Sequence, residues 1–251
     1  MRWPLIALLL CVAIPTGGAM IALTGEGKPR LVADPPQRAS SASSGGAVAA
    51  ACRGAAARCF EMGVLFETGN GVPKDAGRAA EYYFEACGQG EAQACLNLGI
   101  MRFEGRGAPA DLAEAARLQL RACDLGAAEG CGNYAFLAHS GAGAAKNPAK
   151  AARYFGIACE ARHAPSCREL GRAFKQGDSV DQDKILAARA FSRGCAVGDG
   201  LSCAYLGDQF EFGDGVARDR ARAAAHYRRA LKLDATVAYA RKALKRLGEA
   251  L

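Results

Sequence analysis

Apolar and polar residues alternate along the chain with the period of amphipathic helices, and glycine-containing turns interrupt the pattern. In residues 92–104, AQACLNLGIMRFE places most of its large apolar side chains on one broad helical face. Gly105 and Gly107 follow, and glycine ends helices because it reaches left-handed conformations without steric cost. Asp111 then offers a side-chain cap for a second helix. The pattern predicts a helix hairpin, and about eleven helices without a strand over the chain.

The hairpin pattern returns every 36 residues. The turn glycines recur at Gly69, Gly105, Gly141, Gly177 and Gly213, and the N-capping residues recur at Asp75, Asp111, Asn147, Asp183 and Asp219. A fixed period of this length is typical of stacked repeats, so we expect an all-α solenoid over residues 52–251. Its units are about 56–91, 92–127, 128–163, 164–199 and 200–233, and a capping helix lies in 234–251.

Cysteines follow the same period, with a pair near each hairpin junction. The ten are Cys52, Cys59, Cys87, Cys95, Cys123, Cys131, Cys159, Cys167, Cys195 and Cys203. Local pairing joins each cysteine to its near neighbour and ties one hairpin to the next. A shifted pairing, from Cys59–Cys87 onward, links the two outer ends of one hairpin instead. Both pairings are compatible with disulfide geometry. We prefer local pairing, because the shifted scheme leaves Cys52 and Cys203 as free thiols.

A zinc site is the alternative use of these cysteines. Structural zinc ligands are usually two to four residues apart, whereas seven residues separate the members of most pairs here. His139, His163 and His226 also fall at different positions of the repeat. The pattern favours structural disulfides, with no metal and no cofactor.

Two stretches identify a family resemblance. They resemble Sel1-like repeats, relatives of the tetratricopeptide repeat, and read MGVLFETGNGVPKDAGRAAEYYFEACGQGEAQAC and LGIMRFEGRGAPADLAEAARLQLRACDLGAAEGC. The paired cysteines resemble those of the cysteine-rich secreted bacterial branch of this family. The resemblance covers about residues 52–251. It implies an α/α right-handed superhelical solenoid of five disulfide-stapled hairpins plus a capping helix. It also implies a scaffold that holds a protein or peptide client on its concave face. Members of that branch are described as penicillin-binding or β-lactam-hydrolysing, and a related mitochondrial protein acts in respiratory-complex assembly, so function varies within the family.

The N-terminal residues indicate export. Residues 1–23 combine a basic residue, an apolar run and small residues near Ala19, which fits a cleaved signal peptide or a longer signal anchor. Lipid attachment at Cys11 is less favoured, because Leu8-Leu9-Leu10 precedes it. Residues 24–51 are rich in Pro, Gly and Ser and predict a flexible linker. We expect a secreted or periplasmic domain, in contact with a membrane only through an uncleaved N-terminus.

The formal net charge of +7 comes mainly from the C-terminus. Residues 52–217 contain 18 basic and 20 acidic residues, whereas residues 218–251 contain ten basic and three acidic ones. The ten are Arg218, Arg220, Arg222, Arg228, Arg229, Lys232, Arg241, Lys242, Lys245 and Arg246. They serve either the solubility of a terminal repeat or the docking of an acidic envelope partner. Nucleic acid is not expected as a partner, because we expect the chain to be exported.

Motifs of common hydrolases are absent from the sequence. No serine begins an S-x-x-K motif, and no H-E-x-x-H or G-x-S-x-G occurs. We therefore assign no catalytic residue and expect a binding scaffold for a protein or peptide. The alternative, a β-lactam-binding or hydrolysing enzyme, rests on the resemblance alone.

Overall fold

The structure is a computed structural model that describes residues 44–177 and 180–249, with side chains from residue 48 onward. The described residues form helices, turns and loops, with no strand. The helices are α1 (Ser44–Cys52), α2 (Ala56–Thr68), α3 (Ala76–Gly88), α4 (Ala92–Glu104), α5 (Leu112–Asp124), α6 (Ala128–Ser140), α7 (Pro148–Glu160), α8 (Ala164–Gln176), α9 (Lys184–Ala196), α10 (Gly200–Phe212), α11 (Arg220–Leu233) and α12 (Ala238–Leu247).

Ten of these helices form five hairpins that stack in chain order. The first helices of the hairpins, here called A helices, are α2, α4, α6, α8 and α10, and the second or B helices are α3, α5, α7, α9 and α11. Each A helix packs on its own B helix, and from α4 onward each also packs on the B helix before it. A helices also contact A helices, as α8 contacts α10, and the B helices α7 and α9 contact each other. The predicted α/α solenoid is confirmed.

Local signals set the ends of the helices as the sequence predicts. Gly105 ends α4 with a φ of 72°, and its N–H donates to the carbonyl of Met101. The Asp111 carboxylate accepts from the N–H of Glu114 at 2.8 Å and so caps α5. The equivalent glycines and capping residues act in the same way in the other four hairpins.

Close packing inside a hairpin depends on small residues in the A helix. A Cβ atom at Gly207 would lie 2.7 Å from the Tyr227 ring, and one at Gly63 would lie 2.6 Å from the Tyr83 ring. Both tyrosines are fully buried. A side chain at either glycine would therefore force the B helix away, and this outweighs the helix propensity lost to glycine.

Disulfides join successive hairpins in the local pairing. The bonds are Cys52–Cys59, Cys87–Cys95, Cys123–Cys131, Cys159–Cys167 and Cys195–Cys203. Their Cα atoms are 4.5–5.6 Å apart. Each bond ties the end of one helix to the start of the next hairpin, so the ten predicted cysteines are all structural.

The N-terminal boundary differs from the sequence-based expectation. Residues 44–51, assigned above to a flexible linker, lie in α1. Val48 and Cys52 are buried in the same cluster as Tyr83, and Gln89 donates to the Cys52 carbonyl at 2.8 Å. An alanine-rich segment that buries this face and is tied by Cys52–Cys59 has enough contacts to hold a helix. The predicted signal segment 1–23 and residues 24–43 of the predicted linker lie outside the described residues.

The last hairpin is covered by α12, inside the predicted cap at 234–251. Val237, Ala240, Ala243 and Leu244 are buried against the hairpin in one cluster. Burial thus supports this helix, which has no cysteine in its junction. No helix among the described residues is long and apolar enough to cross a membrane.

Candidate functional site

A buried polar network lies between the last hairpin and α12. Asp208 and Glu211 on α10 are 7% and 5% exposed. The Tyr227 hydroxyl lies 2.6 Å from Asp208 and 2.8 Å from Glu211, so its single proton serves one carboxylate at a time. The Tyr239 hydroxyl donates to Asp208. Arg246 on α12 donates to both Glu211 oxygens, at 2.8 and 2.7 Å. The network therefore connects α10, α11 and α12.

The electrostatics of this network follow from its burial and charge pairing. The hydrogen bonds from Arg246 lower the pKa of Glu211, and burial opposes them only partly. Burial raises the pKa of Tyr227 and of Tyr239, and the hydrogen bond to Asp208 adds to both shifts. The tyrosines are therefore neutral hydrogen-bond donors, and their bonds to the carboxylates stabilise the packing of α12.

The ten predicted basic residues do not form one free surface. Six are engaged within the chain: Arg246 with Glu211, Arg228 with Glu249, Arg222 with Asp219, and Arg218, Arg229 and Arg241 with backbone carbonyls of Glu211, Cys195 and Ala235. The other four, Arg220, Lys232, Lys242 and Lys245, are exposed and have no hydrogen-bond or ion-pair partner among the described residues. These four cations are therefore the ones at this end that no internal contact occupies.

Successive A helices present a row of side chains at one position of the repeat. This A-helix row consists of Glu61, Asn97, Asn133, Glu169 and Tyr205. Glu61 is exposed and the other four are half-buried. The Asn97 Oδ1 accepts from Gln93 at 3.2 Å, and the Asn133 Nδ2 donates to Gln119 at 3.3 Å. These bonds leave amide donors or acceptors for a ligand, and an amide can bond a peptide backbone in both senses.

Sequence reasoning missed a second set of exposed cations on the B helices. Arg117, Arg153 and Arg189 lie at the same repeat position of α5, α7 and α9, and Arg193 lies one turn beyond Arg189. All four are exposed. The interval of 36 residues between Arg117, Arg153 and Arg189 was the signal that could have identified this set, because a charge total over a segment does not show repeat positions.

His163 and Ser166 lie in contact near the middle of the array. The His163 Nδ1 lies 2.7 Å from the Ser166 hydroxyl. Burial lowers the pKa of His163, and the nearby Arg168 adds to the effect. Ser166 is fully buried, so no substrate reaches its hydroxyl without a rearrangement, and the pair holds the start of α8. Among the described residues no group of histidine, cysteine or carboxylate side chains is arranged to bind a metal ion.

Comparisons with known proteins agree with this class of fold, an α/α solenoid of stapled hairpins. The Sel1 repeat matches residues 59–91, 92–126, 128–163, 164–199 and 200–234, and the chain belongs to the Sel1 repeat family. Proteins of this family generally mediate protein–protein interactions, and they are typically not enzymes.

Solved structures show the same architecture. A protective antigen of uropathogenic Escherichia coli with the SLR fold aligns with a TM-score of 0.73 and 27% identity, over 79% of this chain and 42% of that one. This chain therefore spans less than half the length of that antigen. A Sel1 repeat protein from Oxalobacter formigenes aligns with a TM-score of 0.69 and 27% identity, over 72% of this chain and 75% of that one. No curated protein sequence matches the chain.

Proposed function

We propose that this chain is an exported scaffold that binds a protein or peptide segment along its A-helix row. The observation that carries the proposal is the row itself, because five stacked A helices place a polar side chain or a tyrosine at the same position. One such side chain per repeat matches an extended ligand, which offers backbone amides at regular intervals. The protein-binding role of the family supports this use.

The surroundings of the row suit a peptide better than a small molecule. Half-buried apolar side chains, including Val64, Phe103 and Phe136, lie on the same A helices, and Tyr205 belongs to the row itself. Val64 and Phe136 each lie three residues after a row position, so they share a side of the helix with it and would add apolar contacts to a ligand. The Arg172–Glu169 pair includes the row residue Glu169, and the Arg168–Asp199 pair lies next to it, so a ligand meets both signs of charge there.

Export is part of the proposal, and the disulfides support it. Five disulfides in one small domain persist in an oxidising compartment and are rare in the cytosol. The secreted or periplasmic location and the alternative of a membrane-anchored chain follow from residues 1–23. Mass spectrometry of the chain recovered from the cell envelope or the medium distinguishes them, since a cleaved chain lacks those residues.

Photo-crosslinking tests the A-helix row directly. A photoreactive amino acid at position 97 or 133 should give adducts with the same protein, because both positions contact one ligand. The matched control is position 225, where Ala225 is exposed on the B helix α11. Adducts with unrelated proteins at the two positions, or equal capture at position 225, would overturn the proposal.

A second candidate is the docking of an acidic envelope partner at the C-terminal end. The supporting observation is that Lys242 and Lys245 line one groove together with Arg241 and Glu249. Neither lysine has a hydrogen-bond or ion-pair partner among the described residues. The double variant K242E/K245E should abolish salt-sensitive retention of the protein in isolated envelopes. Unchanged retention would contradict this candidate and leave the A-helix row unaffected.

The contact between His163 and Ser166 does not support the β-lactam alternative, since Ser166 is fully buried. Purified oxidised protein should not hydrolyse nitrocefin. Hydrolysis that co-purifies with the protein and is lost in the S166A variant would reverse this assignment.

A further inference from the structure

The outer surface of α7 and α9 carries cations that the fold itself leaves unused. Arg153 on α7 and Arg189 and Arg193 on α9 are exposed. Among the described residues none of these guanidinium groups has a hydrogen-bond or ion-pair partner. The two helices contact each other, so the three cations lie on one continuous surface. A surface with several unpaired cations attracts carboxylates.

Two large aliphatic side chains are exposed on the same pair of helices. Ile157 is 40% exposed and lies four residues after Arg153 on α7, whereas Ile185 is 56% exposed and lies four residues before Arg189 on α9. Residues four apart share one face of a helix, so each isoleucine lies beside an arginine. We define Arg153, Ile157, Ile185, Arg189 and Arg193 as the α7–α9 surface.

This combination is not a general property of the repeat. The positions equivalent to Arg189 and Arg193 are Glu81 and Glu85 in α3. In α5 they are Arg117 and Arg121, but the Arg121 guanidinium donates to the Gly88 carbonyl and no isoleucine accompanies them. The position equivalent to Ile185 is Gly77 in α3 and Ala113 in α5. Solubility alone requires neither exposed isoleucine nor charges of a single sign. The composition of the α7–α9 surface is therefore not explained by its being a solvated helix face.

We propose that the α7–α9 surface binds an acidic amphipathic helix of a partner protein. Carboxylates of that helix would pair with the three arginines, whose planar guanidinium groups suit bidentate carboxylate contacts. Its apolar stripe would cover Ile157 and Ile185 and remove them from water.

The chemistry of the α7–α9 surface favours a protein over other anions. Nucleic acid binding usually adds aromatic stacking to arginine, and the exposed apolar side chains here are aliphatic. A bilayer surface usually engages lysine-rich and aromatic-rich faces, and the α7–α9 surface has neither. The surface belongs to the B helices, so its occupation is independent of the A-helix row.

A defined peptide tests this inference on the full oxidised chain. The probe is a fluorescein-labelled helical peptide with glutamate on one face and leucine on the other, followed by fluorescence anisotropy. We expect R189E/R193E to weaken binding about tenfold or more, because two favourable charge contacts become repulsive. The matched control R53E/R58E makes the same charge change at two exposed arginines of the first hairpin junction, and it should alter affinity less than about twofold.

A second variant separates a shaped surface from simple charge attraction. I157S/I185S keeps every charge and should weaken binding about threefold or more, because the apolar stripe of the probe loses its contacts. A variant that changes the A-helix row, N97A/N133A, should bind the probe as the natural protein does.

Four outcomes would overturn the inference. They are no measurable binding, equal weakening in R53E/R58E, no effect of I157S/I185S, and tighter binding to phosphatidylglycerol vesicles than to the peptide. Sedimentation of the protein alone provides the remaining control, since a dimer that R189E/R193E dissociates would assign the surface to a second copy of the chain.

Discussion

At four consecutive junctions a disulfide joins the end of a B helix to the start of the next A helix, whereas the junction between α11 and α12 has no cysteine. Cys195 and Cys203 are the last pair, and Leu231 and Tyr239 occupy the same repeat positions 36 residues later. At the four stapled junctions the paired Cα atoms lie 4.5–4.7 Å apart. At the last junction α12 packs against the final hairpin without a disulfide.

The docking of α12 depends on buried apolar side chains and on a network of charged and polar side chains. Val237 and Leu244 are buried, Tyr239 donates to Asp208, and Arg246 binds both oxygens of Glu211. A disulfide restricts the conformations of the unfolded chain, and its effect does not depend on pH. The stability gained from an ion pair depends on the ionisation of both groups and on the salt concentration. The array is therefore covalently linked along its length, whereas the docking of α12 at its C-terminal end depends on pH and salt.

Removing an inner staple should have the largest effect. C123A/C131A should lower the free energy of unfolding by about 2–3 kcal/mol, because a closed loop of about nine residues loses its restraint in the unfolded chain. Urea denaturation followed by circular dichroism measures this change.

The control for this prediction is C52A/C59A. That bond ties only α1 to the first hairpin, so its loss should move the main unfolding transition less. Equal effects of the two variants would show that the stapled junctions do not couple the hairpins.

Breaking the network at Glu211 should have the next largest effect. E211Q should weaken the docking of α12 by about 1–2 kcal/mol, because the buried charge pair is lost while Arg246 remains half exposed and partly screened. Hydrogen exchange of α12 amides reports the change, and the inner hairpins should be unaffected. E249Q removes a carboxylate from an exposed pair with Arg228 and should change little.

The E211Q variant also tests whether the docking of α12 depends on pH through Glu211. The pKa of Glu211 is lower in the folded protein, where Arg246 donates to it, than its ordinary value of 4.5. Its contribution to stability is therefore complete above about pH 4.5 and is lost as the pH falls through the folded pKa. Exchange in α12 should accelerate over that range in the natural protein. E211Q should lack this component, and an identical pH dependence in both proteins would contradict the assignment.

Tyr239 should contribute less than the charge pair. Y239F should weaken the docking of α12 by about 0.5–1 kcal/mol, because a hydrogen bond to the Asp208 carboxylate is lost from a ring that is 39% exposed. Y154F is the matched control, since no hydrogen bond of the Tyr154 hydroxyl occurs among the described residues. Exchange rates in α12 compare the two variants, and equal rates would remove Tyr239 from the network.

The smallest change should occur at a stapled junction. Arg162 has a φ of 67°, whereas Gly90, Gly126 and Gly198 occupy the same turn position in the other stapled junctions. R162G should raise the free energy of unfolding by about 0.5 kcal/mol, because the relief of left-handed strain exceeds the entropy that glycine adds to the unfolded chain. R162A retains the Cβ atom and should give no gain. Thermal unfolding compares the two variants.

Much of the fold could be predicted because its signals are local. Gly105 and Asp111 set helix ends through their own backbone and nearest turns, so the sequence identifies them without tertiary information. The stretch 44–51 was misassigned, since glycine and serine suggested a linker while the burial of Val48 against the first hairpin stabilises a helix.

The candidate sites were less predictable because they depend on which helices become neighbours. Arg246 and Arg220 look alike in a charge count, yet one binds a buried carboxylate and the other is exposed without a partner among the described residues. Arg153 and Arg189 are far apart in sequence, and they share a surface because α7 contacts α9.

The sequence by itself determined the period, the helix ends and the positions of the cysteines, because each of these depends on residues within a single hairpin or its junction. Only the tertiary structure decided how α12 docks, which cations lack partners and which surfaces join, because burial and charge pairing depend on neighbours from different repeats. The physical reason is that backbone conformation is set largely over a few residues, whereas desolvation and Coulomb energy are set by everything that packs around a group.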